Sequence, residues 1–189
     1  MARPLRIEYP GAFYHVMNRG LERRVIFRDR LDYQAFLHRC LEVHNRFKVI
    51  FHAYSLMPNH YHLMMETPAE NLSRAMRHLD SVYTQGFNHR KERRVGPLFQ
   101  GRYKAILIDK DAYALELSRY IHLNPVKAKI VNRPEDHAYS SFRYYVGRRA
   151  LRDANSPRGQ TGNYCLSPMG VKCQDLTPFS GYLSNGNSF

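Results

Sequence analysis

The segment KVIFHAYSLM-PN-HYHLMME, residues 48–66, decides how the chain is read. Both ends read as strands, and Pro58-Asn59 between them is turn chemistry. The spacing predicts two antiparallel strands, 48–57 and 60–66, joined by a tight turn. Side chains alternate along a strand, so His60 and His62 share one face while Tyr61 and Leu63 share the other.

Working outward, AFYHVMN (12–18) reads as a further strand ending at Gly20. Asp29 is placed to cap a helix whose apolar stripe runs Tyr33, Phe36, Leu37, Cys40, Leu41, His44 and Phe47. Thr67-Pro68-Ala69-Glu70 has the form of a capping box, opening a helix with Leu72, Ala75, Met76, Leu79, Val82, Tyr83 and Phe87 on one face. KAILID (104–109) is a fourth strand. Asp109 or Asp111 caps a last helix, which Pro125 ends because the residue before a proline is pushed out of the α region. The order β-α-β-β-α-β plus one more helix predicts an α+β, ferredoxin-like antiparallel sheet. Two helices would cover one sheet face and leave the other free for a ligand.

Composition narrows the function. Lys and Arg number 29 against 16 Asp and Glu, a net charge of +13, which favours a nucleic-acid partner through counterion release. No stretch approaches the ~18 consecutive apolar residues of a membrane span, and the first residues carry no apolar signal segment, so a cytoplasmic, soluble protein is expected. Cys40, Cys165 and Cys173 form no C-x-x-C pair, which disfavours a disulfide framework or a cysteine zinc site. From 150 to 189, 17 of 40 residues are Gly, Ser, Pro or Asn and apolar periodicity is lost. Residues 1–149 are therefore expected to form the domain and 150–189 a disordered tail.

Three features bear on chemistry. His60 and His62 lie ~7 Å apart along one strand face, a spacing that suits a shared metal ion or simply two exposed imidazoles. Tyr113, Leu117, Tyr120 and Asn124 fall at helical steps, either as packing residues with Asn124 as a cap or as an ion- and phosphate-facing stripe. Basic residues stand among aromatics, including Arg19, Arg93, Arg94, Arg102, Tyr103, Lys104, Lys127 and Lys129. Such a mixture suits phosphates and unpaired bases, or merely a solvated face.

The segments MPNHYHLMMET, GPLFQGRYKAILI, YIHLNPVKAKIV and PEDHAYSSFRYY follow one another with short gaps. In this order they resemble the REP-associated tyrosine transposases, a branch of the HUH single-tyrosine transposases of bacterial insertion sequences, over roughly residues 5–147. The resemblance implies a divalent metal, Mg²⁺ or Mn²⁺, held by His60, His62 and Asn124. It makes Tyr120 the nucleophile and leaves Tyr113 outside the motif. The implied reaction is transesterification of hairpin-bearing single-stranded DNA through a 5′-phosphotyrosine. Arg19, Arg102, Lys104 and Lys127 would bind the DNA, and a homodimer is allowed. Three other readings compete, one of them a degenerate or domesticated copy that only binds DNA. A non-catalytic single-strand-binding module on the same fold would carry an aromatic strand motif that GRYKAILI does not satisfy. A metal-dependent hydrolase would need more acidic or histidine ligands than Glu66, the only acid on that strand face.

Overall fold

A computed structural model describes residues 7–90 and 96–146. The hairpin forms as its sequence demands: β2 (Ile50–Met57) and β3 (His60–Thr67) pair antiparallel around Pro58-Asn59. β1 (Ala12–Arg19) lies against the other side of β3, and β4 (Lys104–Ile108) pairs with β1, giving the sheet order β2-β3-β1-β4. This order and the element sequence are those of the expected ferredoxin-like sandwich.

Helices α1 (Arg30–Phe47) and α2 (Leu72–Arg90) pack together over one sheet face. Between them and the sheet lies the main core, with Tyr14 and Val16 from β1, Tyr61, Leu63 and Met65 from β3, and Phe36, Cys40, Leu79 and Tyr83 from the helices. Asp29 caps α1 as expected, its carboxylate accepting from Asp32 N at 3.0 Å. The capping box at 67–70 does not form. Thr67 is held in β3 opposite Ala12, and α2 begins only at Leu72. Glu8, from the segment before β1, takes over the cap by accepting from the backbone N–H of Ser73.

The second sheet face is not left free. α3 (Lys110–Lys127) crosses it, packing on β2 and β3, and the short α4 (Phe142–Tyr145) closes one end. A smaller core of Phe13, Ala53, Met64, Ile108, Ala114, Leu117, Ile121 and Tyr145 fills the gap. The reason is apolar area: these alternate strand residues would otherwise face water. Asp109 caps α3 through Ala112 N. The helix runs on past Pro125, which the preceding-residue rule placed at its end. Ala128 N still reaches Asn124 O at 2.9 Å, so only the hydrogen bond that proline cannot donate is lost.

The expected tail 150–189, with Cys165 and Cys173, and the basic pair Arg93 and Arg94 lie outside the described residues. Among the described residues no helix is long and apolar enough to cross a membrane.

Candidate functional site

β3 supplies both predicted imidazoles to the α3 side of the sheet. Their ring centroids are 5.1 Å apart and the rings nearly perpendicular, at 86°. Each ring is held from behind through Nδ1: His60 by the side-chain oxygen of Asn59 at 2.7 Å, His62 by Nε2 of His15 at 3.0 Å. Among the described residues no hydrogen bond occupies Nε2 of either ring. Burial holds both below the ordinary histidine pKa. The Arg19 charge adds to the effect at His60, while His15 and His60 help push His62 down to about 3. Burial lowers His15 to about 4. All three are therefore neutral at pH 7, the form in which a ring nitrogen keeps a lone pair.

α3 brings Tyr120 and Asn124 to the same place, one helical turn apart. The Tyr120 ring meets His62 edge-on at 5.8 Å and His15 at 6.0 Å. It is 40% exposed, so a substrate has access to it. Lys127 Nζ lies 5.3 Å from the ring centroid. Asn124 lines the cavity with Tyr120, His60 and His62, and its amide nitrogen is buried without a hydrogen-bond partner among the described residues. Leu117, in the same predicted stripe, belongs to the smaller core. Tyr113 is exposed two turns before Tyr120 and does not line the cavity. His122 is buried and bonded to Ser141 Oγ at 2.7 Å, away from the opening.

The cavity holds 560 Å³, and basic side chains rim it: Arg19 and Lys104 from the ends of β1 and β4, and Arg102 from the loop before β4. The antiparallel register sets Arg19 opposite His60, which fixes this cation beside the imidazole pair. Lys127 stands over Tyr120 rather than in the lining. The structure thus gathers the predicted residues and adds His15, Asn18, Arg23, Asn59 and Gln100, which sequence reading missed. Arg23 reaches the rim because the chain turns sharply after Gly20. A Cβ on Gly20 would meet Arg24 O at 2.1 Å, so only glycine permits that turn. A signal for His15 lay in AFYHVMN, where His15 falls on the strand face opposite Tyr14 and Val16.

A cation here would rest on two imidazoles and one carboxamide. Among the described residues no cluster of three or more His, Cys, Asp or Glu is placed to hold one. The residues present fit such an ion: two open Nε2 atoms sit on rings anchored through Nδ1, and the Asn124 carboxamide, which would ligate through its oxygen, lines the same cavity. This donor set is softer than a carboxylate cage and suits Mn²⁺ as well as Mg²⁺.

A ferredoxin-like sheet whose H-x-H strand faces a tyrosine-bearing helix is the arrangement that the sequence resemblance implied for single-tyrosine transposases. The chain belongs to the IS200-like transposase family, whose model matches residues 9–124. Members of that family are enzymes that cleave DNA. The fold is that of a REP-associated tyrosine transposase solved with a REP hairpin bound to it. The two share 20% identity and a TM-score of 0.68, over 91% of this chain and 98% of that one. A proposed transposase from Deinococcus radiodurans R1 is more distant, at 16% identity and TM-score 0.44 over 64% of this chain and 95% of that one, and carries no weight here. No curated protein matches the chain in sequence.

Proposed function

We propose that this chain is a REP-associated type of transposase that cuts and rejoins hairpin-bearing single-stranded DNA, with Tyr120 as the nucleophile. The observation that carries the reading is the Tyr120 ring set edge-on to His62 in one basic cavity with His60 and Asn124. In the proposed step, Tyr120 Oη forms a bond to phosphorus as the P–O3′ bond breaks. The products are a 5′-phosphotyrosine and a strand that ends in a 3′-hydroxyl once its leaving oxygen has taken up a proton. One phosphoester replaces another, so another 3′-hydroxyl can reverse the step without a nucleotide cofactor.

A free tyrosine with pKa ~10 is only about one part in a thousand phenolate at neutral pH. A divalent cation held by His60, His62 and Asn124 would supply Lewis-acid stabilisation of charge on the phosphate. The chain's own contributions are positional. The anchored imidazoles, the Asn124 amide and the Tyr120 phenol share one cavity lining, which supports such an arrangement. Arg19, Arg102 and Lys104 neutralise the incoming backbone at the rim, and Lys127 does so beside Tyr120. A phenol in the lining of a cavity is most easily reached by a backbone that can bend to it, hence by an unpaired strand. Support for a hairpin next to the cut comes from the shared fold of the REP-hairpin-bound protein and from the basic rim.

The test is to incubate wild type, Tyr120→Phe and Tyr113→Phe with end-labelled hairpin-bearing single strands and Mn²⁺, and to resolve covalent adducts on denaturing gels. Wild type and Tyr113→Phe should form the adduct and Tyr120→Phe should not. Equal yield from Tyr120→Phe would overturn the nucleophile assignment. Adduct formed under excess EDTA would overturn the metal's part.

A further inference from the structure

His15 has no place in the proposed chemistry, yet it is buried, touches the metal-side histidine and faces the tyrosine. It lies on β1 opposite Met64, while His62 on β3 lies opposite Met17. The two histidines are thus diagonal cross-strand neighbours on one face, a separation that two imidazoles can close. They do close it: His15 Nε2 and His62 Nδ1 are 3.0 Å apart, with ring centroids 5.2 Å apart and planes at 26°. Both side chains are 6% exposed, so water does not compete for the bond.

One bridge between two imidazoles needs one donor and one acceptor, and the proton can be placed in two ways. If His15 donates, His62 carries its own proton on Nε2, which then points no lone pair into the cavity. If His62 donates from Nδ1, its Nε2 is open. At the neighbouring histidine the choice is already made: the side-chain oxygen of Asn59 can only accept, so His60 is Nδ1-protonated and Nε2-open. We propose that His15 is the matching positioning residue for His62, accepting its Nδ1 proton and thereby fixing the ring and the tautomer that a cation requires. The inference rests on the metal reading of His60 and His62. It separates two functions of one side chain, since the same ring also walls Tyr120 at 6.0 Å. A glutamine at position 15 keeps an acceptor and loses the ring, whereas a phenylalanine keeps the ring and loses the acceptor.

The experiment is metal binding without DNA, using the full chain. Free Mn²⁺ is followed by electron paramagnetic resonance in titrations of wild type, His15→Gln, His15→Phe and His62→Ala, with circular dichroism to check folding. His15→Phe should bind Mn²⁺ roughly 10–100-fold more weakly than wild type, the usual cost of losing a ligand's outer partner, while His15→Gln stays near wild type. Long-range ¹H–¹⁵N spectra of metal-free wild type should show His62 protonated on Nδ1, a readout that requires no variant to fold. His62 protonated on Nε2, or His15→Phe binding like wild type while His62→Ala does not, overturns this inference and leaves the metal site standing. His15→Gln losing as much affinity as His62→Ala also overturns it, because His15 would then be a ligand itself. Wild type that binds no Mn²⁺ overturns the metal reading and this inference together.

Discussion

The two faces of the sheet use the same strands for opposite ends. Toward α1 and α2, β3 presents Tyr61, Leu63 and Met65, all fully buried; toward α3 it presents His60, His62, Met64 and Glu66. On the first side two core phenols have close partners: Tyr61 donates to Asp80 at 2.7 Å and Tyr83 to Ile26 O at 2.6 Å. Aromatic rings fill the rest, with Phe36 against Phe27, Tyr61 and Tyr83. On the second side, the buried His62 and the partly buried His60 each keep Nε2 open, and the Asn124 amide nitrogen has no partner among the described residues. Buried polar atoms without partners cost roughly 1–3 kcal/mol each. One face is filled by packed rings, whereas the other keeps open polar atoms at a cavity, although Thr67 Oγ1 and Asn71 Oδ1 outside that cavity also lack partners among the described residues. The period of two along a strand lets a single segment serve both.

The contrast makes a paired prediction with the largest effects. Phe36→Ala should cost about 3–5 kcal/mol, a large part of a typical total stability, through lost burial and a cavity. Urea unfolding would read that loss, while adduct yield per folded molecule stays at the wild-type level. His62→Ala should do the reverse: stability within about 1.5 kcal/mol of wild type, and adduct formation down by about a hundredfold or more. A His62→Ala protein that unfolds, or a folded Phe36→Ala protein that cannot cut, would break the division between the faces.

Acid should strike the α3 side first. His15 near pKa 4 and His62 and His122 near 3 are neutral in the native protein, against 6.5 for an unfolded histidine. Below pH 6.5 the unfolded chain takes up protons that the native one refuses, so stability is full above that pH and falls as pH drops toward the native values. Each group contributes a slope of about 1.4 kcal/mol per pH unit. Urea midpoints measured in EDTA between pH 6.5 and about 5 should therefore decline, before most carboxylates titrate. His122→Gln should flatten the decline by one such slope, at the expense of a lower plateau at pH 8 from the disturbed bond to Ser141. An unchanged slope would mean that His122 is not held neutral by its burial.

Much of this was legible in the chain. The H-x-H strand, the Pro58-Asn59 turn, the Asp29 cap and the ferredoxin-like order follow from local spacing, which physics reads within a few residues. Tyr120 and Asn124 fell on one stripe by spacing, one turn apart on α3, but it was the resemblance that singled them out. For His15 only the strand face was legible, because its contact with His62 lies in the register between β1 and β3, and register is a tertiary fact. Pro125 misled because one missing donor weakens a helix without ending it where tertiary packing holds the next turn. The covering of the second face by α3 was hidden as well: the stripe of Tyr113, Leu117, Tyr120 and Asn124 does not say which of its members will be core, and only Leu117 is.

The start of α2 gives the smallest and most local test of the stabilising face. Thr67-Pro68-Ala69-Glu70 has every residue type a capping box needs, yet pairing of Thr67 with Ala12 keeps it in the sheet. The orphan N–H of Ser73 turns instead to the carboxylate of Glu8, which also accepts from the Ser73 hydroxyl. A negative group at a helix N-terminus gains from both the hydrogen bonds and the helix dipole. Glu8→Ala should thus cost about 0.5–1 kcal/mol, less in high salt because the site is exposed. Glu70→Ala, in the unformed box, should leave stability within about 0.5 kcal/mol of wild type. Neither change should alter adduct yield, since both lie on the side of the sheet away from Tyr120. If Glu70→Ala proves the costlier of the two in urea titrations, the box does form in solution and the contact from Glu8 is secondary.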